Sequence, residues 1–294
     1  MRKFRAVSMG LVLLSAGLTG CFKTTRLVQK TLAPEMYRSA SVDTLQKVVS
    51  DRDAAIQTLN ASVLITATTG GGRTGKVTEY TSFRGYIFVR KPRDLRVILR
   101  LPVIGSEAMD MVSNGKNFTL LIPPRNKAII GTNTVTKPSK NGLENLRPAV
   151  FFDSLLVPGV APDEYVALNE STRVVAVADK KNQAMEEPDY DLTIMKQKDG
   201  KVLQTLRVVH INRVNMLPYQ QDIYNDDGQI VTQALYDKYQ TSGGQEFPTL
   251  ITITRPLDEY SLKVQITKLT LNEKLDDDQF ELKIPASAVV QKME

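Results

Sequence analysis

The chain has no tryptophan, one histidine and one cysteine among its 294 residues. A single histidine cannot build the usual multi-histidine metal site. His210 lies inside LRVVHINR, where it reads as a strand residue. Glycines are grouped in TGGGRTG (69–75), but without the G-x-x-x-x-G-K-[ST] spacing or a strand–helix setting, so the stretch reads as a flexible hairpin. There is no G-x-S-x-G elbow for a serine nucleophile. The acidic runs at 226–227 and 276–278 lack the alternating ligand spacing of a calcium loop, and Asp227-Gly228 is a hairpin turn signal. No block of Lys and Arg is interleaved with aromatics, which argues against a nucleic-acid partner. No apolar run reaches the roughly 20 residues of a membrane-spanning helix. Neither a catalytic residue, nor a metal, nor a cofactor is expected.

What the chain does have begins at its N-terminus. MRKFRAVSMGLVLLSAGLTGC places Arg2, Lys3 and Arg5 before a short apolar run from Ala6 to Ala16, with small residues before Cys21. That is the layout of a secretory signal, here 1–20. Leu18-Thr19-Gly20-Cys21 resembles the bacterial lipobox, in which cleavage before the cysteine leaves a lipid-modified N-terminal residue. Acylation of Cys21 consumes the one thiol, so stability has to come from packing rather than a disulfide. Several acyl chains, at about 0.8 kcal/mol per buried CH₂, would hold the protein firmly on a bilayer. Phe22 follows, instead of the Asp that commonly retains lipoproteins at the inner membrane, so the expected location is the outer membrane of a bacterium, periplasmic face. Removing 1–20 takes three basic side chains and lowers the formal charge from +6 to +3. Residues 21–40 read as a lipid-anchored tether and 41–294 as one domain with enough chain for a sizeable core.

From Ser41 to Asn60, Leu45, Val48, Val49, Ile56 and Leu59 fall on one helical stripe, with Ser41 as cap and Asp43 in the first turn. Extended runs follow, among them SVLITAT (62–68), EYTSFRGYIFVR (79–90), LRVILRL (95–101), EAMDMV (107–112) and NFTLLIP (117–123). The SNGK turn between the last two is a hairpin signal. A second helix is expected over 143–156, stopped by Val157-Pro158-Gly159, and strands resume from Tyr165 to Asn272. An antiparallel meander with two inserted helices is α+β rather than a βαβ wind. A sheet of this length curls into a barrel or partial barrel, with the helices over its mouth or concave face.

In LRVILRL, Leu99 and Leu101 share one face with Leu95 and Val97, while Arg96 and Arg100 lie on the other. Met109 and Met111 continue the apolar face beyond the turn. That turn lies in RLPVIGSEAMDM (100–111), where Val103 and Ile104 occupy places that turns normally give to Asn, Asp, Gly, Ser or Pro. A branched aliphatic pair there either folds back under a neighbouring loop or is apolar surface meant to touch something.

Three of these segments resemble the LolA/LolB-type proteins, the periplasmic carrier and outer-membrane receptor of lipoprotein sorting, and the receptor more closely. LPVIGSEAMDM is similar to the receptor's apolar Pro-Leu-Gly-Ser tip, with Gly105-Ser106 in register and Ile104 at the place of its exposed leucine. NLRPAVFFDSLLVPG (145–159) is similar to the inserted helix with its Leu-Pro-Gly-like stop. LNEKLDDDQFELKIP (271–285) resembles the Asp-x-x-Phe turn and last short strand of the wider superfamily. The likeness spans residues 41–285. The chain departs from it in lacking tryptophan, in carrying Val-Ile where one leucine stands, and in extra hairpin length between 160 and 250.

The resemblance implies an incomplete antiparallel β-barrel, a half-barrel closed by helices, enclosing an apolar cavity for the acyl chains of a client lipoprotein. Leu99, Leu101, Met109, Met111, Phe118 and Leu120 are its candidate lining, methionine being adaptable to an irregular guest; ordinary core is the other reading of each. Burying one acyl chain is worth on the order of 10 kcal/mol, so a protein that must release its load makes incomplete contact with it. Val103 and Ile104 become a membrane-touching transfer tip, each worth up to roughly 1.5–3 kcal/mol if buried in lipid. The expected partners are the membrane, client lipoproteins or lipid acyl chains, and a periplasmic carrier. Two other functions stay open: a half-barrel for another lipid or glycolipid, and a structural or assembly lipoprotein whose barrel is filled by its own side chains.

Overall fold

The computed structural model describes residues 26, 31–34, 36–133, 147–176 and 183–293. The chain divides into two compact units, Met1–Pro34 with Val174–Glu186, and Glu35–Arg173 with Glu187–Glu294. In the smaller unit, β1 (Thr31–Leu32) runs parallel to the first residues of β10 (Ala184–Asp199), Thr31 opposite Ala184. Thr31 Oγ1 donates to Glu186 Oε1 at 2.7 Å.

Among the described residues, the larger unit is a long, mostly antiparallel sheet with two short α-helices. Its elements are α1 (Val42–Ala54), β2 (Thr58–Gly71), β3 (Lys76–Glu79), β4 (Phe83–Arg90), β5 (Asp94–Arg100), β6 (Glu107–Ser113), β7 (Asn117–Ile122), β8 (Lys127–Thr132) and α2 (Pro148–Leu155). After these come β9 (Glu164–Ala176), β10, β11 (Val202–Asn212), β12 (Pro218–Tyr224), β13 (Ile230–Ser242), β14 (Gln245–Arg255), β15 (Tyr260–Leu271) and β16 (Val289–Met293), the end of β9 and start of β10 belonging to the smaller unit. From β10 to β15 each strand pairs with the next; β15 then pairs with β2, and the order continues β4-β5-β6-β7-β8-β16. The last pair, β16 on β8, is parallel.

One face of this sheet is apolar by simple alternation. Leu59, Ala61, Val63 and Ile65 of β2, Ile87 and Val89 of β4, and Leu95 and Val97 of β5 are all buried. The short helix α2 sets Val150, Phe151 and Leu155 into the same core. It touches β13 and β14 on one side and β6 on the other. Four strands lie between β14 and β6 in the sheet order. On a flat sheet those contacts would be separated by roughly 24 Å at 4.8 Å per strand, about twice the width of a helix. The sheet therefore curls around α2 and stays open, the expected half-barrel. A second apolar cluster seats Leu45 and Val49 of α1 on Tyr190, Leu192, Ile194, Val209 and Ile211.

Both helices are shorter than the periodicity predicts. Ser41 caps α1, its Oγ accepting from Thr44 N at 3.3 Å. The helix ends at Ala54 because Leu59 is the first of the residues alternating into the core with β2, and the strand's period of two wins. α2 starts at Pro148, whose fixed φ suits the first helical position. The part of that expectation covering 143–146 lies outside the described residues.

Gly85 sets the spacing of the curl at β4 and β5. A Cβ built on it would stand 2.0 Å from the Ile98 carbonyl oxygen. Gly85→Ala has to push β5 away from β4, so unfolding in urea is expected at a lower midpoint, by about 1–3 kcal/mol in stability. An unchanged midpoint would contradict this packing.

Candidate functional site

The β5–β6 connection brings the aliphatic pair to its apex. Leu101 N donates to Ser106 O at 2.8 Å and Gly105 N donates to Leu101 O at 3.0 Å, closing the loop at its base. Ile104 N donates to Pro102 O at 2.9 Å, and Val103 between them has φ +72°. This is a γ-turn with a positive central φ, the rarer form, built on a branched residue that avoids that region. Holding it costs of order 1–3 kcal/mol. Val103 is fully exposed and Ile104 is 78% exposed, so neither folds under a neighbouring loop.

The six other apolar candidates divide by depth. Met111, Phe118 and Leu120 are buried in the main core, and Leu99 and Met109 pack at its edge. Leu101 lies at the base of the tip and lines a pocket of about 970 Å³ with Val103, on which Arg84, Tyr86 and Arg100 also open. Cys21, the expected lipidation site, lies outside the described residues.

α2 covers the core side. Arg147, just before it, holds its guanidinium 5.2 Å from the Phe118 ring, and burial lowers the Arg147 pKa. Gln221 Nε2 donates to the Asp153 carbonyl at 2.9 Å. Around this helix, Ser154 Oγ, Gln221 Oε1 and the hydroxyls of Tyr236 and Tyr260 are buried without a hydrogen-bond partner. Each such group costs about 1–3 kcal/mol, so the helix sits less firmly than its apolar contacts alone would hold it. Burial raises the Asp153 carboxyl to about 6 against the opposing pull of Arg207 and Arg255. Cavities of about 190 and 40 Å³ flank the helix, the first lined by Ala149 and Phe152, the second by Leu155 and Leu156.

The opposite face of the sheet carries a polar cluster that sequence reading missed. Asp191 of β10, His210 of β11 and Gln220 of β12 stand side by side in register. His210 Nδ1 lies 2.6 Å from Asp191 Oδ1, and its Nε2 lies 3.2 Å from Asp222 Oδ2. Gln220 and Gln233 each donate to Asp222 at 3.0 Å. Burial opposes the imidazolium, but the two carboxylates outweigh it and raise the pKa of His210. Burial likewise opposes the Asp222 carboxylate, and its bonds to His210, Gln233 and Gln220 reverse the effect and lower its pKa. With both ring nitrogens engaged, the imidazole braces three strands and has no free nitrogen for a substrate proton. Among the described residues no group of His, Cys, Asp and Glu could hold a metal ion, and no helix is long and apolar enough to cross a membrane.

A raised imidazole pKa stabilises the folded state below the unfolded value near 6.5, and that stabilisation is lost as pH rises through the folded value. Urea midpoints are therefore expected to fall as pH rises through that window, and His210→Gln should flatten the fall. The same slope in the variant would contradict the assignment.

No family model matches the chain, and no curated protein matches it. Solved structures do. A LolA superfamily protein from Nitrosomonas europaea superposes with a TM-score of 0.50 at 14% identity, covering 83% of this chain and 99% of its own. A DUF1329 family protein from Desulfovibrio piger gives 0.50 at 15% identity, covering 82% and 95%. At such identities the likeness is one of fold. The chain has the LolA-like half-barrel fold, and Val103, Ile104 and the α2-covered face are placed on it by this sequence's own residues.

Proposed function

We propose that the chain is a lipid-anchored, periplasm-facing protein that takes acyl chains of lipoproteins between the curled sheet and α2 and inserts them into the outer membrane. It acts by binding and release, without catalysis. The observation that carries this reading is the tip: two branched aliphatic residues, fully and largely exposed, held in a disfavoured γ-turn beside the open half-barrel. Exposed apolar surface fixed by strain at a loop apex is what a bilayer-touching element requires. Residues 1–20 serve as signal, Cys21 as acylated anchor, 21–40 as tether and 41–294 as the binding domain. Within that reading residues 36–40 also dock on the sheet, where Arg38 N donates to Arg213 O at 2.8 Å and Ala40 N to the Tyr190 hydroxyl at 2.9 Å.

Loading requires α2 to move aside, since Met111, Phe118 and Leu120 lie packed in the core. The unpartnered polar atoms around α2 lower the cost of that displacement. A lipid or carrier then exchanges its acyl chain against the surface that Phe151 and Leu155 cover, with Leu99 and Met109 at its rim. The same close packing favours, as the second reading, a structural lipoprotein with a filled barrel.

Ile104→Glu separates loading from delivery. The variant is expected to take up an acylated peptide like the parent but to pass it to liposomes at least tenfold more slowly, since a charge replaces about 1.5–3 kcal/mol of buried aliphatic surface. Fluorescence transfer from labelled peptide to vesicles reads this. Equal transfer rates would remove the tip from the mechanism, and failure of both proteins to load would favour the filled barrel.

A further inference from the structure

The pocket beside the tip lies on the sheet face opposite the core. Register sets Leu64, Arg84 and Arg100 in one row across β2, β4 and β5, next to Ser62 opposite Tyr86. The Arg100 guanidinium stands 5.3 Å from the Tyr86 ring. Other arginines of these strands are held by carboxylates: Arg90 Nη2 is 2.7 Å from Asp94, and Arg96, on the same face of β5 as Arg100, is 2.8 Å from Asp110. Arg84 and Arg100 form no ion pair among the described residues, although Glu107 faces Arg100 across the β5–β6 pairing. Two adjacent, unpaired guanidinium groups therefore open on a pocket of about 970 Å³ whose rim is Leu101, Pro102 and Val103.

We propose that this pocket binds the phosphate of an anionic glycerophospholipid of the target bilayer; the inference rests on the membrane-touching reading of the tip. Guanidinium pairs hold phosphate oxygens by charge-assisted, forked hydrogen bonds. The rim fixes the orientation. A phosphate at Arg84 and Arg100 leaves the glycerol and acyl part of the lipid running past Leu101 and Val103, so the same lipid engages the cationic pocket and the apolar tip. Headgroup capture then sets the depth and angle at which Val103 and Ile104 enter the membrane, and makes insertion depend on lipid charge.

The absence of tryptophan makes the test direct, because Ile104→Trp supplies the only indole emitter. The processed chain, residues 21–294, carries Cys21→Ala as well, so that neither the basic, apolar signal nor an acyl anchor contributes. It is titrated with vesicles of phosphatidylcholine and of phosphatidylcholine mixed with phosphatidylglycerol; flotation reads binding and the blue shift of Trp emission reads the tip. Half-maximal binding is expected at about tenfold less lipid with phosphatidylglycerol. Arg84→Gln with Arg100→Gln should erase that difference, whereas Lys198→Gln with Lys201→Gln, removing two exposed charges elsewhere, should keep it. Equal titrations on both vesicles, or equal loss in the two double variants, would overturn the headgroup site while a blue shift still supports the tip. Preference for phosphatidylglycerol that depends on Arg84 and Arg100, without a blue shift, would support the site and discard the tip. Release of bound vesicles by inorganic phosphate at the same phosphorus concentration would mark a site for free phosphate and overturn the lipid assignment.

Discussion

One apolar sheet face, wider than either helix among the described residues, is the constraint on which the rest depends. Strands β2, β4, β5, β13 and β15 present buried residues at every second position over much of their length, yet the helices among the described residues are thirteen and eight residues long. A flat sheet would leave most of that face in water. Curling brings β6 and β14 to the two sides of the same eight-residue helix and buries the face against itself and against α2. The half-barrel is thus the shape that covers the most apolar area with the least helix. It also leaves α2 lightly held: among the described residues Ser154 Oγ, Gln221 Oε1 and the hydroxyls of Tyr236 and Tyr260 beside it find no hydrogen-bond partner, while β15 and β2 are tied by a long ladder.

The outward face is organised by charge. Arg96 with Asp110, Arg90 with Asp94 and Asp277, and His210 between Asp191 and Asp222 each join neighbouring elements. Arg90 also reaches the Leu275 carbonyl, and its guanidinium lies 4.7 Å from the Phe280 ring, tying down the acidic turn near the C-terminus. Against that background Arg84 and Arg100, which form no ion pair among the described residues, stand out, and they lie beside a loop whose apex is aliphatic and strained. On the proposed reading, function at this end of the sheet follows from two cations without an ion pair and two exposed branched side chains.

Much of this was legible in the sequence because it is local. Alternation from Leu95 to Leu101 shows the core face of β5 without any partner strand, and Val103-Ile104 is anomalous in a turn by composition alone. The acidic pair 226–227 is the hairpin turn it reads as, with Gly228 at φ +73°. Leu59 satisfies both the helical stripe and the strand alternation, and only the pairing of β2 with β4 decides between them, while Ile56 reaches the core from the turn between α1 and β2. The clusters around His210 and around Arg84 were not legible, since each joins residues of several strands through register, and register is fixed by turns and bulges spread along the chain. Positive φ at Val103 was hidden for the same reason: nothing in Pro-Val-Ile-Gly announces a γ-turn.

The claim that this half-barrel carries lipid is tested most directly by what comes with it. The protein, purified from its envelope without detergent exchange, would be examined by intact mass spectrometry under native conditions and again after denaturation. Acyl lipid or acylated peptide that rides on the native species and is released on unfolding is the predicted result. A native mass equal to that of the processed chain alone, in a protein that also takes up no acylated peptide when one is offered, would contradict it.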